Sequence, residues 1–218
     1  MNELSEFLPL IAIMLASGLV AGMMAGLLGI GGGIIIVPIL EFSLAFFGVD
    51  EAVRMHIAIA TSLAIIIPTS LSSVRAHHSR GTVDIKVIKS WTPAIFIGAA
   101  LGSWGASKLD GKVLITIFAF LAFFVALKML FRSKSKNVRD GIPDHPAIQL
   151  IPFAMGSISS MMGIGGGVMG VSFLTLFGLP IHRAVSTASI FGALIAIPGT
   201  ISFMLLGLNV EGLPPGNI

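Results

Sequence analysis

A glycine-rich phrase that occurs twice between long apolar segments constrains this chain more than any other feature. Residues 28–33 read Leu-Gly-Ile-Gly-Gly-Gly, and residues 162–167 read Met-Gly-Ile-Gly-Gly-Gly. A soluble protein could use such a loop to hold a phosphate, but here both copies interrupt hydrophobic sequence. Because irregular backbone at membrane depth must be buried in protein or line a cavity, a duplicated glycine break is typical of an internally repeated transporter.

The composition indicates a polytopic membrane protein. Of 218 residues, 55% are hydrophobic and 11% are charged, and the mean hydropathy is +1.00. A soluble domain carries about 25% charged residues. Hydropathy predicts about eight transmembrane helices, at residues 7–28, 33–48, 55–74, 91–107, 112–131, 147–162, 165–179 and 184–207. The second and seventh are short, and the sequence leaves open whether they span the bilayer or re-enter it.

The predicted fold is an all-α membrane bundle made of two inverted-topology repeats. Residues 1–131 form the first repeat, residues 132–146 a polar cytoplasmic linker, and residues 147–218 the second repeat. The second repeat is expected to be incomplete, because nothing in it corresponds to the last two spans of the first. Opposed copies of one unit would provide two gates around a shared site, which is the architecture of alternating access.

The orientation follows from the placement of lysine and arginine. With the N-terminus outside and every segment crossing, nine basic residues fall in cytoplasmic loops and three in outer loops. Membrane insertion favours this bias, so the positive charge reports topology and indicates no nucleic-acid partner. Since five spans separate the two units, the same count places the two glycine phrases at opposite faces of the membrane.

Several functional classes are excluded by what the sequence lacks. There is no cysteine, which rules out disulfides, thiolate chemistry and iron–sulfur or cysteine-ligated zinc sites. No phosphate-binding loop for ATP hydrolysis occurs. An intramembrane enzyme would need several acids or histidines within the spans, and only Glu41 qualifies. We therefore expect no enzymatic activity, no cofactor and no bound metal.

The glycines of the two phrases are the first candidates for a substrate-binding site. N–H groups freed by a helix break, beside the positive end of the next helix, suit an anion. The alternative is that these glycines only let helices pack closely or turn sharply. The candidates are Gly29, Gly31, Gly32 and Gly33 in the first phrase and Gly163, Gly165, Gly166 and Gly167 in the second.

Hydroxyl side chains in the spans that follow each short segment are the second group of candidates. Thr61 and Ser62 lie in the first half, and Thr187 and Ser189 in the second. Their O–H groups could replace water around an anion. The alternative is a hydrogen bond to a neighbouring helix or back to the same helix. Thr61 and Thr187 are interpreted as corresponding positions of the repeat.

Glu41 is a candidate for proton coupling, because a carboxylate inside a span is costly and therefore often functional. The alternative is that it pairs with a neighbour or lies near an interface. His56 and His182 are further candidates for coupling flux to protons, the alternative being solvated histidines at loop ends. Arg54 and Arg183 could attract an anion at opposite mouths of the protein.

The order of these motifs resembles the sulfite exporter TauE/SafE family of membrane permeases. The resemblance rests on Gly26-Leu-Leu-Gly-Ile-Gly-Gly-Gly33 with Val37-Pro38, on Ala60-Thr61-Ser62, on the basic loop at 77–84, and on the second phrase followed by Arg183-Ala-Val-Ser-Thr187. It extends to about residue 207 and implies a multi-pass transporter of the inner (plasma) membrane. Family substrates are often sulfite, sulfonates or related organosulfur anions. Against the family pattern, this chain looks C-terminally shortened by a span or two.

The expected function is therefore permeation of a small anion through the lipid bilayer by alternating access. Substrate identity, direction, coupling ion and assembly into a homo-oligomer are left open by the sequence. Two alternatives are a non-transporting membrane scaffold or assembly protein and a transporter of an unrelated small solute. The scaffold explains the helices and the glycines but not the duplication of the phrase.

Overall fold

The computed structural model of the chain describes residues 32–78, 83–130 and 145–208, together with Leu15, Gly18, Leu19, Gly22 and Met23. Over these ranges the structure consists of seven α-helices and one short 3₁₀ helix, which confirms the all-α prediction. The helices are α1 (Gly33–Phe46), α2 (Glu51–His78), α3 (Ile85–Ala106), α4 (Gly111–Leu130), α5 (Leu150–Met161), α6 (Gly167–Leu176) and α7 (Ile181–Gly207), and the 3₁₀ helix Pro146–Gln149 precedes α5.

Six of the seven helices of the described ranges fall into two length classes, and α4, with 20 residues, lies between them. By length and composition, α2, α3 and α7 are long and apolar enough to cross a membrane. In contrast, α1, α5 and α6 have 14, 12 and 10 residues. At about 1.5 Å per residue, none of these three reaches across a hydrocarbon core of roughly 30 Å. The short second and seventh predicted segments are therefore half-length helices in the structure.

The positions of the other helices match the hydropathy prediction within a few residues, apart from the start of α3. The predicted segment begins at residue 91, whereas α3 begins at Ile85. Asp84 caps the helix, since its side chain accepts the N–H groups of Lys86 and Val87 at 3.2 and 3.3 Å. The early turns of α3 carry lysine, so hydropathy does not detect them. Most of the first predicted span, 7–28, and of the linker, 132–146, lies outside the described residues.

Two helical hairpins, α1–α2 and α6–α7, are built in the same way. The turn of each contains a glycine with a left-handed backbone, Gly48 at φ 75° and Gly178 at φ 83°. In each turn the glycine N–H bonds the carbonyl three residues earlier, and the next N–H bonds the carbonyl five residues earlier, which satisfies the open end of the helix. Gly48 and Gly178 lie 130 positions apart, and so do the helix-internal Pro68 and Pro198. The two hairpins therefore share the geometry of their turn and the position of the proline in their long helix.

The long helices of the two hairpins, α2 and α7, pack antiparallel at the centre of the bundle. A Cβ placed on Gly199 would come 2.8 Å from Leu63, and one placed on Gly192 would come 3.0 Å from Ser70. A later residue of α2 thus meets an earlier residue of α7, so the two helices are antiparallel.

The helices α3 and α5 run side by side in the same direction and pack through small residues. Gly98, Gly102 and Gly156 each face a backbone carbonyl of the opposite helix, those of Phe153, Ser157 and Ile95 respectively. No side chain fits at these three positions. Such small-residue seams let transmembrane helices approach closely, which matters because lipid supplies no hydrophobic drive between helices.

The interior of the bundle is mainly apolar or hydroxyl-bearing, and none of the charged residues of the described ranges is fully buried. All the buried polar side chains of the described ranges belong to serine or threonine. Many large apolar side chains face outward instead, among them Phe42, Phe46, Phe96, Phe120, Phe123 and Leu205. This distribution suits a protein surrounded by lipid.

Replacing Gly102 with alanine is expected to destabilise the α3–α5 pair by about 1–3 kcal/mol, the usual effect of overpacking. The added methyl would come 2.6 Å from Ser157 Cα and from Ser160 Oγ. Gly105→Ala is the matched control, because a Cβ on Gly105, three residues along the same helix, meets nothing within 4 Å. Thermal unfolding of both variants in detergent measures the difference. Equal midpoints would contradict the close packing described here.

Candidate functional site

The second glycine phrase forms the break between α5 and α6. Gly163 has φ 65°, and it ends α5 by donating its N–H to the Ser160 carbonyl at 3.3 Å. The N–H of Ile164 bonds the Ser159 carbonyl at 2.9 Å. A residue with a side chain would be strained at this position of the motif. The phrase is thus a helix C-terminus followed within a few residues by a helix N-terminus.

The beginning of α6 leaves backbone donors without acceptors. Gly166 is the N-cap residue of this helix and Gly167 its first residue. The Gly167 N–H bonds the Gly165 carbonyl at 2.7 Å, but within the described ranges the N–H groups of Gly165 and Gly166 bond no backbone carbonyl. Both residues are buried. Unpaired buried N–H groups are uncommon, and at a helix N-terminus they carry partial positive charge.

The two glycine phrases meet inside the bundle. Gly33, the first residue of α1, is buried against the backbone of Gly163 and Ile164, and a Cβ on it would lie only 2.7 Å from the Ile164 Cα. The expectation that the phrases occupy opposite membrane faces is therefore wrong. Counting spans treated 33–48 and 165–179 as crossing segments. Because both are half-length, the phrases that precede them end within the protein.

Ser62 connects this meeting point to the middle of α2. Its hydroxyl donates to the Gly163 carbonyl at 2.7 Å, and the serine is fully buried. The same stretch of α2 closes over the glycine, since a Cβ on Gly163 would come 3.1 Å from the Ile59 Cα. Of the hydroxyls that the sequence predicts, Ser62 is the one that touches a glycine phrase.

The N-terminus of α6 is covered by α7. A Cβ on Gly166 would lie 2.9 Å from the Phe191 Cβ and 2.8 Å from the Ile195 Cδ1, and one on Gly165 would lie 3.7 Å from the Gly192 Cα. Phe191 in turn stacks on the buried Trp91 of α3, with 5.7 Å between ring centroids. The glycine phrase is therefore enclosed by α1, α2 and α7.

The other predicted hydroxyls lie away from this point. Thr187 is buried near the start of α7, where its Oγ1 accepts the N–H of Asp84 at 3.0 Å. Ser189 donates to the Ser186 carbonyl of its own helix at 2.8 Å, which is the alternative interpretation of this residue. Thr61 is half-buried on α2, beside Ser62.

Thr61 and Thr187 are not brought together. The antiparallel contacts of α2 with α7 place Leu63 level with Gly199, so Thr187 lies about 20 Å further along the bundle axis at 1.5 Å per residue. The spacing of 130 that relates the two hairpins pairs Thr61 with Phe191 instead. The similar sequence around the two threonines therefore suggests a correspondence that is one helical turn away from the one in the structure.

Glu41 is paired with an arginine. Its Oε1 lies 3.2 Å from the Nε of Arg54, and both side chains are about four-fifths buried. This outcome is the pairing alternative for Glu41, and it joins α1 to the first turn of α2. Nearby, the His56 Nε2 donates to the Leu109 carbonyl at 3.0 Å, which ties the same end of α2 to the turn before α4.

A second ion pair involves Asp84, a residue that the sequence analysis did not single out. The Asp84 Oδ2 lies 2.9 Å from the Arg183 guanidinium, and its N–H bonds Thr187. Asp84 thereby holds the segment before α3 against the first turns of α7. Its position at the end of the basic loop, directly before a helix, is the sequence feature that could have identified it. Because α2 and α7 are antiparallel, the pairs of Arg54 and Arg183 lie at opposite ends of the bundle.

Not every candidate can be placed. Gly29 and Gly31 lie outside the described residues, whereas Gly32 is the N-cap residue of α1. Searched over the ranges that the structure describes, no group of three or more histidine, aspartate or glutamate side chains is arranged to hold a metal ion.

Removing the Ser62 hydroxyl should destabilise the protein, because the Gly163 carbonyl would lose its buried donor. We expect Ser62→Ala to cost about 1–3 kcal/mol, the usual penalty for a buried group left unsatisfied. Ser70→Ala is the matched control on the same helix, since Ser70 is also buried but bonds its own helix at Ile67. Denaturation of both variants in detergent tests this, and an equal loss in the two would count against the Ser62 contact.

Comparison with known proteins identifies the family of this chain. Residues 14–214 match the family described as Sulfite exporter TauE/SafE. A probable membrane transporter protein of Haemophilus influenzae is 34% identical, over 94% of this chain and 77% of its own length. Proteins of the same description from Methanocaldococcus jannaschii and Bacillus subtilis are 31% and 29% identical, over 95% and 94% of this chain and 76% and 83% of their own. No solved structure matches.

These relatives are described as transporters and none of the three as an enzyme. The family match covers most of the chain and includes both glycine phrases. The chain is therefore a multi-pass membrane protein that belongs to the sulfite exporter TauE/SafE family of membrane transporters.

Proposed function

We propose that this protein exports a small sulfur-containing oxyanion, sulfite or a sulfonate, across the plasma membrane by alternating access. The observation that carries the proposal is the meeting of the two glycine phrases. There, Gly33 contacts Gly163 beside the Ser62 hydroxyl, and the N–H groups of Gly165 and Gly166, just before α6, bond no backbone carbonyl of the described residues. Helix N-termini that end inside a membrane protein are the usual way to bind an anionic group.

The polar groups of the interior suit an anion that is bound weakly enough to be transported better than an anion that is held tightly. The polar residues that are buried in the described ranges are serines and threonines, and the largely buried Arg54 is already paired with Glu41. Neutral donors can replace part of the hydration shell of an anion without trapping it in a deep ion pair. Transport requires binding that is favourable enough to enter and weak enough to leave.

Two inverted repeats, residues 1–131 and 147–218 joined by the linker at 132–146, are part of the proposal. The similar hairpins α1–α2 and α6–α7 and the antiparallel packing of α2 on α7 support it. Rocking of one hairpin against the other about the glycine contact would expose the site to each side in turn.

The two ion pairs fit the positions of gates. Arg54 with Glu41 closes one end of the bundle, and Arg183 with Asp84 closes the other. A proton on Glu41 would cancel its attraction to Arg54 and so favour opening at that end. In this proposal Glu41 couples export to protons, while Thr61, Thr187 and Ser189 line the path on either side of the glycine phrases.

Flux of labelled sulfite and methanesulfonate into proteoliposomes tests the proposal. We expect saturable flux from the wild-type protein and at least about tenfold less from Gly33→Ala, because misplacing the binding groups by an ångström costs a large part of their effect. The added methyl would overlap the backbone of Gly163.

Gly105→Ala on α3 is the control for this variant. A Cβ on Gly105 meets nothing within 4 Å, so flux should be retained. Size-exclusion chromatography in detergent checks that both variants fold. Full flux from a folded Gly33→Ala would contradict the glycine site, and a wild-type protein that moves neither anion would leave the scaffold or an unrelated solute as the better reading.

Glu41→Gln is expected to leave flux down a sulfite gradient within about twofold but to abolish its response to an imposed proton gradient, because an amide cannot exchange a proton. Glu51→Gln is the control, since Glu51 is exposed at the start of α2 and lies 3.9 Å from Lys112 in a loose contact. The measurement compares proteoliposomes with and without a pH difference. A Glu41→Gln protein that still responds to the gradient would exclude Glu41 as the coupling site.

A further inference from the structure

Two buried hydroxyls, one on α3 and one on α7, have no hydrogen-bond partner within the described residues. They belong to Ser103, which is fully buried, and Thr200, which is 9% exposed. Buried polar groups are almost always paired, and each exception needs a physical explanation. Helical serines and threonines can pair with their own backbone, and neighbours in the same two helices do so. Thr92 donates to Ile88 at 2.7 Å, and Ser186 donates to His182 at 2.8 Å.

The two hydroxyls lie at the level where the glycine phrases meet. A Cβ on Gly199, the residue before Thr200, would come 3.1 Å from the Ser103 Oγ and 2.8 Å from Leu63. The residue before Leu63 is Ser62, which bonds Gly163. Of two consecutive residues of α2, Leu63 thus lies against Gly199, beside Ser103, and Ser62 bonds the glycine phrase.

We propose that Ser103 and Thr200 form a subsite that donates hydrogen bonds to an oxygen atom of the transported oxyanion. The inference rests on the proposed function and extends it to α3, a helix that belongs to neither glycine hairpin. The chemistry follows from the groups present, since two O–H donors in apolar surroundings recognise a ligand that carries acceptor oxygens. Leaving them unpaired when the site is empty keeps both donors available, because no internal bond has to break on binding.

The test removes each hydroxyl while nearly preserving side-chain shape, in Ser103→Ala and Thr200→Val. In proteoliposomes we expect the KM for labelled sulfite to rise about tenfold in each variant, the effect of losing one hydrogen bond to a charged ligand. The maximal rate should stay within about threefold. The unfolding midpoint of the ligand-free protein should not fall, since no internal hydrogen bond is lost.

Thr92→Val, within α3, and Ser107→Ala, at the C-cap of α3, are the matched controls. Both side chains bond their own helix, Thr92 at Ile88 and Ser107 at Trp104, so their removal should leave the KM for sulfite unchanged. An equal rise of KM in these controls would overturn the subsite, because it would show a general effect of changing α3.

The remaining outcomes separate this inference from the proposed function. Unchanged KM in folded Ser103→Ala and Thr200→Val would overturn the subsite and leave the proposed function intact. A loss of stability with unchanged KM would assign the hydroxyls to a structural water, and this also overturns it. If the wild-type protein moves no sulfite, the proposed function fails. The thermal shift induced by sulfite then decides: a shift that Ser103→Ala removes supports the subsite, and its absence overturns it.

Discussion

The rest of the structure depends on one backbone contact, that of Gly33 against Gly163 and Ile164. Two half-length helices can end inside the bundle only if their irregular ends are covered by protein. A Cβ on Gly33 would push the two phrases apart, and a Cβ on Gly163 would press against Val37 of α1 and Ile59 of α2. Absence of side chains therefore allows the helix ends to meet, and the meeting places unpaired N–H groups in the interior.

Close approach through small residues recurs away from this contact and explains why the interior can remain uncharged. The α3–α5 seam uses Gly98, Gly102 and Gly156 in the same way. In lipid, van der Waals packing and interhelical hydrogen bonds hold helices together, so the bundle needs no buried ion pair at its centre. Its two partly buried ion pairs lie at the ends of α2 and α7 instead, where breaking one changes access and leaves the core in place.

The helices were predictable from sequence because hydropathy and glycine or proline breaks act over a few neighbouring residues. The start of α3 was not, since its first turns carry Lys86 and Lys89 and depend on the Asp84 cap. The site itself stays a prediction. In the structure Ser62 lies against the phrase around Gly163, but Thr187 does not join them. Thr187 resembles Thr61 only in its neighbouring residues, whereas its position in the bundle depends on the register of α7 against α2.

The sequence by itself determined a helical membrane protein with a repeated glycine phrase, because composition and local pattern decide which segments can be surrounded by lipid. Only the tertiary structure decided that the two phrases meet, since span counting cannot tell a half-length helix from a crossing one. It also decided which hydroxyls are free. Ser189 and Ser103 are alike in sequence terms, yet one bonds its own helix and the other has no partner among the described residues. That difference follows from the rotation and the register of the packed helices. The sequence of a single segment specifies neither of them.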